Sequence, residues 1–284
     1  MKRCLSALVL LAGHATVATA ANEWTTPQAP FRIHGDTYYV GTRGLSAILL
    51  ASGAGHVLID VPMQENLALV EANIRSLGFR VEDIRLILNT HPHFDHAGGI
   101  AGLAADSGAI VRASPAAARA LRAGGRDRDD PQYGSAGAFA AVPALGTFGD
   151  GETLRVGALA LTAHATPGHT PGSTTWTWSS CEGEACVELV YADSLTAISN
   201  DAYRYGDPTH PERLARFRRG LALVASLPCD ILITPHPEAS GFWDRLQRRE
   251  AGSADALIDR DACRRYAGIA ATRLDERIAA EQPR

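Results

Sequence analysis

Short apolar runs alternate with longer amphipathic stretches along most of this chain, and the alternation predicts an α/β protein. The apolar runs predict β-strands near residues 37–51, 56–61, 86–89, 109–113, 153–165, 174–179, 187–192 and 230–234. The amphipathic stretches predict helices near residues 64–77, 95–106, 115–122, 211–226 and 252–280. Because strands are followed by helices twice over, we expect two packed β-sheets with helices outside. Periodicity alone leaves a single doubly wound sheet as an alternative.

A cluster of metal-binding side chains directly follows one of the predicted strands. The segment 91–96 reads His-Pro-His-Phe-Asp-His and comes after the apolar run 84–88, at a strand end, where α/β proteins place ligand sites. Side chains alternate in an extended segment, so His91 and His93 project to one side and can share a metal ion. The aspartate and the last histidine come after the chain has begun to turn, so they can face a second ion.

Two further histidines lie on predicted loops next to glycine or proline residues. His169 lies in the turn 166–172 between two strand-like runs, and His236 directly follows the apolar run 231–233 and a proline. The first cluster is placed in the same way, after β-type sequence. An isolated loop histidine is usually an ordinary surface residue, but beside the first cluster we interpret both as metal ligands.

Together these residues form two triads, each with three ligands for one zinc ion. The predicted sets are His91, His93 and His169 for one ion, and Asp95, His96 and His236 for the other. Three protein ligands leave an open position for water, which is typical of catalytic rather than structural zinc. The sequence therefore predicts two zinc ions as cofactors. A zinc-storage protein without turnover is an alternative of a different class, although a storage tract would be His-rich and irregular.

The H-x-H-x-D-H motif with later single histidines resembles the metallo-β-lactamase superfamily. The resemblance extends from about Phe31 to the last of these histidines, and it implies one domain over residues 21–284. The implied fold is the αββα sandwich, two packed mixed β-sheets with helices on the outer faces and the metals at their shared edge. Ser194 occupies the position of a cysteine ligand in other subgroups, and serine cannot replace a thiolate as a soft ligand, so His96 completes the second triad. These details and the hairpin sequence 35–42 are similar to subclass B3.

The resemblance implies hydrolysis of the β-lactam amide bond of penicillins, cephalosporins and carbapenems by a metal-bound hydroxide, and therefore antibiotic resistance. Asp95 would be catalytic as the ligand that also orients the nucleophile. The sequence gives no indication of a serine nucleophile, because it contains neither an S-x-x-K motif nor a G-x-S-x-G motif. Another dizinc hydrolase of the same fold, such as a lactonase, thioesterase or phosphodiesterase, is the main alternative. Predicted export and the absence of a basic substrate surface count against the thioesterase and RNA-processing versions.

Three polar residues are candidates for contact with a small-molecule β-lactam substrate. Ser194 and Thr196 follow a predicted strand, and in B3 enzymes the matching positions help to hold a substrate carboxylate. Gln132 lies in the polar, glycine-rich segment 124–137 and could line the groove. Serine and threonine also stabilise turns without any ligand, and such glutamines are often plain loop, so both interpretations stay open.

Length and charge narrow the range of partners. The chain has 284 residues and a formal charge of −4, which gives no electrostatic footprint for nucleic acid or for an anionic membrane. We expect a monomer whose partner is a small molecule. The arginine-rich stretches 211–220 and 245–249 are interpreted as solvated helix faces.

The N-terminal sequence predicts export. Lys2 and Arg3 precede an apolar stretch over residues 5–11, and the sequence Ala-Thr-Ala at 18–20 fits a cleavage site. The apolar stretch is too short for a membrane span. We therefore expect residues 1–20 to be a signal peptide and the mature protein to be periplasmic.

Cleavage removes Cys4 and leaves four of the five cysteines, an even number that favours disulfides after export. Four cysteines permit three pairings. Cys181 and Cys186 flank a short loop between two predicted strands, so a disulfide between them can cross-link the ends of a β-hairpin. We predict this pair together with Cys229–Cys263, which would tie the last helix to the base of the strand before the final ligand.

Overall fold

The computed structural model describes residues 23–281, so the predicted signal peptide over residues 1–20 lies outside the described part of the chain. Within residues 23–281 the strands form two sheets. None of the helices in this part is long and apolar enough to cross a membrane.

The first sheet has seven strands that are neighbours in chain order: β1 (Phe31–His34), β2 (Thr37–Tyr39), β3 (Ile48–Leu50), β4 (His56–Ile59), β5 (Ile84–Leu88), β6 (Ile110–Ala113) and β7 (Gly146–Thr147). Antiparallel pairing joins β1 through β4, and parallel pairing joins β4 through β7. Parallel neighbours need crossover connections. These contain the helices α1 (Leu67–Ser76), α2 (Phe94–Ala97), α3 (Ile100–Ser107) and α4 (Pro115–Arg122).

The second sheet has five strands, β8 (Thr153–Val156), β9 (Leu159–Ala165), β10 (Thr174–Glu182), β11 (Ala185–Tyr191) and β12 (Ile231–Ile233), in the order β12-β11-β10-β9-β8. All neighbours are antiparallel except β11 and β12, which are parallel. The helices of this half are α5 (Pro211–Ser226), α6 (Phe242–Glu250) and α7 (Ala262–Ala280). Short 3-10 turns lie at Gln64–Asn66, Val81–Asp83 and Pro237–Ser240.

Alternating side chains of the central strands supply two different hydrophobic clusters, because successive residues of a strand point to opposite faces. Ile48 and Leu50 of β3 pack between the two sheets with Trp176 and Leu189 of the second sheet. Leu49 points the other way, into a cluster that contains the buried residues of α1 and α3. A third cluster joins β11 and β12 to α5 and α7. The layers are therefore helix, sheet, sheet, helix, which confirms the αββα sandwich.

Most predicted elements are observed within a few residues of their expected bounds, but the predicted helix over 252–280 begins only at Ala262. Gly252 has a φ of 104°, and turns follow it. The Asp259 carboxylate accepts a hydrogen bond from the Asp261 backbone N–H at 3.3 Å, a local contact that competes with helix formation. The helix predicted over 95–106 divides into α2 and α3 at two glycines. A Cβ at Gly99 would lie 2.5 Å from the Val61 side chain.

The interpretation of 245–249 as a solvated face is wrong at its first residue. Arg245 is only 4% exposed. Its guanidinium donates to the carbonyls of Leu257 at 3.0 Å and Leu232 at 2.8 Å, so the charge is held by backbone oxygens. Burial lowers the pKa of Arg245 to about 10. The arginine joins α6 to β12 and to the turn before α7.

The four cysteines within residues 23–281 form the predicted pairs. Cys181 and Cys186 are opposite each other at the end of the β10–β11 hairpin and are bonded; we call this the hairpin disulfide. Cys229 and Cys263 are also bonded, with Cα atoms 6.3 Å apart. This second bond ties α7 to the segment just before β12.

Candidate metal centre

The loop after β5 carries four of the predicted ligands, and a buried carboxylate fixes its start. Asp60, just past β4, is fully buried and has a φ of 63°, a left-handed conformation that aspartate adopts more readily than most residues. It accepts hydrogen bonds from the Thr90 backbone N–H at 2.7 Å and hydroxyl at 2.9 Å, and from the Tyr191 hydroxyl at 2.6 Å. Burial raises the pKa of Asp60 to about 8. The network fixes the loop between the two sheets.

The structure brings the first predicted triad together. The ligand nitrogens of His91, His93 and His169 lie within 4.8 Å of one another, and all three side chains are buried. The first two come from the loop after β5, and His169 comes from the turn between β9 and β10. Three imidazoles from two loops that converge in this way can hold one tetrahedral ion and leave a fourth position open.

An outer hydrogen bond occupies one ring nitrogen of each histidine in this triad. Nδ1 of His91 lies 2.8 Å from an Asp193 carboxylate oxygen, and Nε2 of His93 lies 2.9 Å from an Asp130 carboxylate oxygen. Nδ1 of His169 lies 3.1 Å from the Thr196 carbonyl and 2.8 Å from the Thr196 hydroxyl. Because carboxylate and carbonyl oxygens only accept, each of these nitrogens donates. The free ligand atoms are therefore Nε2 of His91 and His169 and Nδ1 of His93.

The second predicted triad also converges. Oδ2 of Asp95 lies 3.1 Å from Nε2 of His96 and 3.4 Å from Nε2 of His236. The two histidine nitrogens are 3.1 Å apart. Asp95 and His96 belong to the loop after β5, whereas His236 follows β12. His91 links the two sets, because its ligand nitrogen also lies within 4.8 Å of those of Asp95 and His96.

Burial and mutual repulsion favour the neutral, metal-binding form of three of the histidines: His91, His96 and His169. Burial, then the charges of neighbouring histidines, hold the pKa of His91 and of His169 well below the usual value. Burial also lowers the pKa of His96. Burial alone would raise the pKa of Asp95. The charge interaction with His96 and hydrogen bonds from His236 and His96 outweigh the effect of burial and hold the pKa of Asp95 well below its usual value. Neutral imidazoles at His91, His96 and His169 beside an ionised Asp95 are donors that fit zinc.

Four of the six predicted ligands, His93, Asp95, His169 and His236, line a cleft of about 250 Å³. All three predicted substrate contacts line it: Gln132, Ser194 and Thr196. Ser194 is 5% exposed, and its hydroxyl makes no hydrogen bond to another residue within 23–281. The Thr196 hydroxyl, in contrast, already contacts His169. Substrate contact by these three residues stays a prediction.

Sequence reasoning missed an aromatic wall of the cleft. Trp24 lies over the mouth, with its ring centroid 5.5 Å from that of His236 and 6.1 Å from that of Phe94. Tyr266 of α7 lines the same cleft; its hydroxyl donates to the Asp193 carbonyl at 3.1 Å. Both residues are far from the motif in sequence, and no local pattern distinguishes them from core aromatics.

The carboxylates that orient His91 and His93 were also missed. Asp193 follows a predicted strand, as the ligands do, and that placement was an available signal. Asp130 lies in the polar segment 124–137, where neighbouring aspartates at 127 and 129 give no reason to single it out. Both are fully or almost fully buried, which only the fold shows. Burial raises the pKa of Asp193 to about 7.

Comparison with known proteins defines the class. The family model described as metallo-β-lactamase superfamily matches residues 40–178. The solved structure titled Rm3 metallo-β-lactamase is 47% identical, with a TM-score of 0.90 over 93% of this chain and 99% of that chain. The chain belongs to the metallo-β-lactamase superfamily. Within it, the chain is similar to MEM-A1, a subclass B3 metallo-β-lactamase from a soil metagenome library, at 47% identity and a TM-score of 0.88 over 91% of this chain and 98% of that one.

A curated relative points to another activity in the same superfamily. It is named hydroxyacylglutathione hydrolase, from Anaeromyxobacter dehalogenans (strain 2CP-C), and is 38% identical over 167 residues. The match covers 59% of this chain and 51% of that protein, so the chain spans about half the length of this relative. The shared class is a metal-binding hydrolase.

Proposed function

We propose that this protein is a zinc-dependent β-lactamase that hydrolyses the amide bond of penicillins, cephalosporins and carbapenems. The observation that carries the proposal is the second cluster, in which Asp95, His96 and His236 converge beside Ser194 and no cysteine is present. Nearly full-length similarity to enzymes titled metallo-β-lactamases supports the same conclusion. The conferred trait would be antibiotic resistance.

The ligand sets support two zinc ions, one held by His91, His93 and His169 and the other by Asp95, His96 and His236. When bound, zinc supplies Lewis acidity that polarises a carbonyl oxygen and lowers the pKa of water toward neutrality. Asp95 would orient the attacking water, since its carboxylate is ionised and lies within 4.8 Å of the ligand atom of His91 in the other set. Asp130, Asp193 and Thr196 hold the histidine rings in one tautomer and orientation.

The cleft supplies a polar side and an apolar side for the substrate. The free hydroxyl of Ser194 is available to donate to a substrate carboxylate, with Gln132 on the same lining. Trp24, Phe94 and Ile198 give apolar surface on which a β-lactam side chain can pack. Exposure of Ile198 at 53% is consistent with a position at the rim.

We further infer that the mature protein acts in the periplasm as a monomer. The proposed export signal and the two disulfides support the periplasmic location. Sedimentation of purified protein and fractionation of expressing cells test it directly.

The decisive experiment is hydrolysis of a carbapenem by purified protein, with and without a strong chelator. We expect turnover that the chelator abolishes and added zinc restores, with two zinc equivalents per chain by metal analysis. Fast cleavage of lactones or thioesters without turnover of any β-lactam would refute the proposal. It would favour the alternative that the hydroxyacylglutathione hydrolase similarity suggests, a thioesterase on the same metal centre.

Removal of the Ser194 hydroxyl tests the proposed contact with the substrate carboxylate. Ser194→Ala should raise KM for penicillins and carbapenems with little change in kcat, because a carboxylate anchor serves ground state and transition state alike. Zinc content should not change. Ser135→Ala is the matched control, since Ser135 lines the same cleft but its hydroxyl already donates to the Gln132 carbonyl at 3.0 Å. An unchanged KM in Ser194→Ala would remove Ser194 from the binding site.

A further inference from the structure

A second cleft, of about 410 Å³, lies beside the loop that delivers His169 but has no metal ligand in its lining. Pro167, Gly168, Thr170 and Pro171 of that loop form one wall, and the start of α5 forms another. We propose that this cleft binds a small divalent oxyanion of the phosphate or sulfate class, either free or as the phosphate group of a small metabolite.

Two arginines of the cleft have charges that no described carboxylate neutralises. Arg213 and Arg216 lie on α5 at a spacing that places both on one helix face, and both line the cleft. Among residues 23–281 neither makes an ion pair. The Arg213 guanidinium carbon lies 4.8 Å from the centroid of the Tyr203 ring, which orients the guanidinium at the cleft.

The other charged residues of the lining are paired with each other, although loosely. Arg119 of α4 is 3.6 Å from Asp129, and His210 is 3.5 Å from Glu212. With histidine counted as neutral, the lining contains three arginines and two carboxylates, so its net charge is positive. A chain with a formal charge of −4 therefore has a local positive concavity here.

The remaining donors also suit an oxyanion. Helix α5 is 16 residues long, starts with proline and has no side-chain cap. The Arg213 N–H donates to the His210 carbonyl at 3.1 Å, but the positive dipole end of the helix lies at the cleft. The Tyr203 hydroxyl makes no hydrogen bond to a residue in the described part of the chain. Guanidinium groups bind oxyanions through two parallel hydrogen bonds, which a point charge cannot do.

The test uses zinc-loaded protein and sulfate, which does not strip zinc. Backbone amide chemical shifts are followed against sodium sulfate, with sodium chloride at matched ionic strength as the reference. We expect saturable shifts at residues 167–171 and 211–216. Arg213→Ala/Arg216→Ala should weaken binding about tenfold or more, as the loss of two charge-assisted contacts requires. Arg219→Ala, an arginine of the same helix outside the lining, should bind as the wild type does.

Arg216→Gln serves as a milder second variant, because Arg216 is exposed and the change retains packing. Circular dichroism and zinc content should match those of the wild type in every variant. Phenyl phosphate in place of sulfate distinguishes the source of the anion: tighter binding than inorganic phosphate indicates a metabolite site, and equal binding indicates a free oxyanion. Equal sulfate responses in the wild type and the double variant, or shifts confined to the residues around His91, would overturn the proposal.

Discussion

Asp130→Asn should weaken zinc binding at the first triad without disturbing the fold. Asp130 is 4% exposed and uses both carboxylate oxygens, one for His93 at 2.9 Å and one for the Gln132 backbone N–H at 2.7 Å. Asparagine offers one acceptor and places an NH₂ group where the other oxygen was. Either the His93 ring N–H or the Gln132 N–H therefore meets a donor. Changes to outer partners of metal-bound histidines cost about 10–100-fold in metal affinity, or about 1.4–2.7 kcal/mol.

The assay is competition for zinc between the purified protein and a chromophoric chelator. Asp129→Asn is the matched control, because Asp129 is the neighbouring aspartate with a side chain that is 69% exposed. We expect the control to bind zinc as the wild type does. A dissociation constant for Asp130→Asn within twofold of the wild type, with zinc in both sites, would refute the role of Asp130 in orienting His93.

Three further predictions concern stability and turnover. Loss of the Cys229–Cys263 bond, which spans 34 residues, should lower the free energy of unfolding by about 4 kcal/mol. Loss of the hairpin disulfide, which spans 5 residues, should lower it by about 2 kcal/mol. Denaturant unfolding of two variants, each with one cysteine pair replaced by alanines, measures the difference. Asp60→Ala loses three hydrogen bonds and puts alanine at a left-handed φ, so it should lower the free energy of unfolding by about 3 kcal/mol or more. Asp60→Asn should lower it by less than half as much in the same assay. Asp95→Asn should retain the fold by circular dichroism but lose zinc from the second set and most turnover; full activity with one bound ion would contradict the two-metal mechanism.

The convergence of the six candidate ligands could be predicted because the local sequence contains most of the required information. Four of these candidates lie within six consecutive residues after an apolar strand, so the spacing itself places them together. His169 and His236 are single residues, but each follows a strand and precedes a tight turn, which is the same context. The αββα order of layers required the family resemblance, since periodicity left a doubly wound sheet open.

The residues that could not be predicted act across long sequence separations. His93 and Asp130 are 37 residues apart, and His91 and Asp193 are 102 apart, so no local pattern connects them. Arg245 looks like a surface residue because its partners are backbone carbonyls, which leave no trace in the sequence. Trp24 lines the cleft from the segment before β1, far in sequence from the other lining residues.

Each set of candidate ligands comes from both sheets, and this division has a consequence for stability. The first set joins the loop after β5 to the turn between β9 and β10, and the second joins the same loop to the segment after β12. Bound ions would therefore cross-link the two sheets at one edge and add their binding free energy to folding. The bonds from Tyr191 to Asp60 and from His91 to Asp193 cross the same edge without any metal. Protein contacts alone therefore join the two sheets at the edge where the candidate ligands lie.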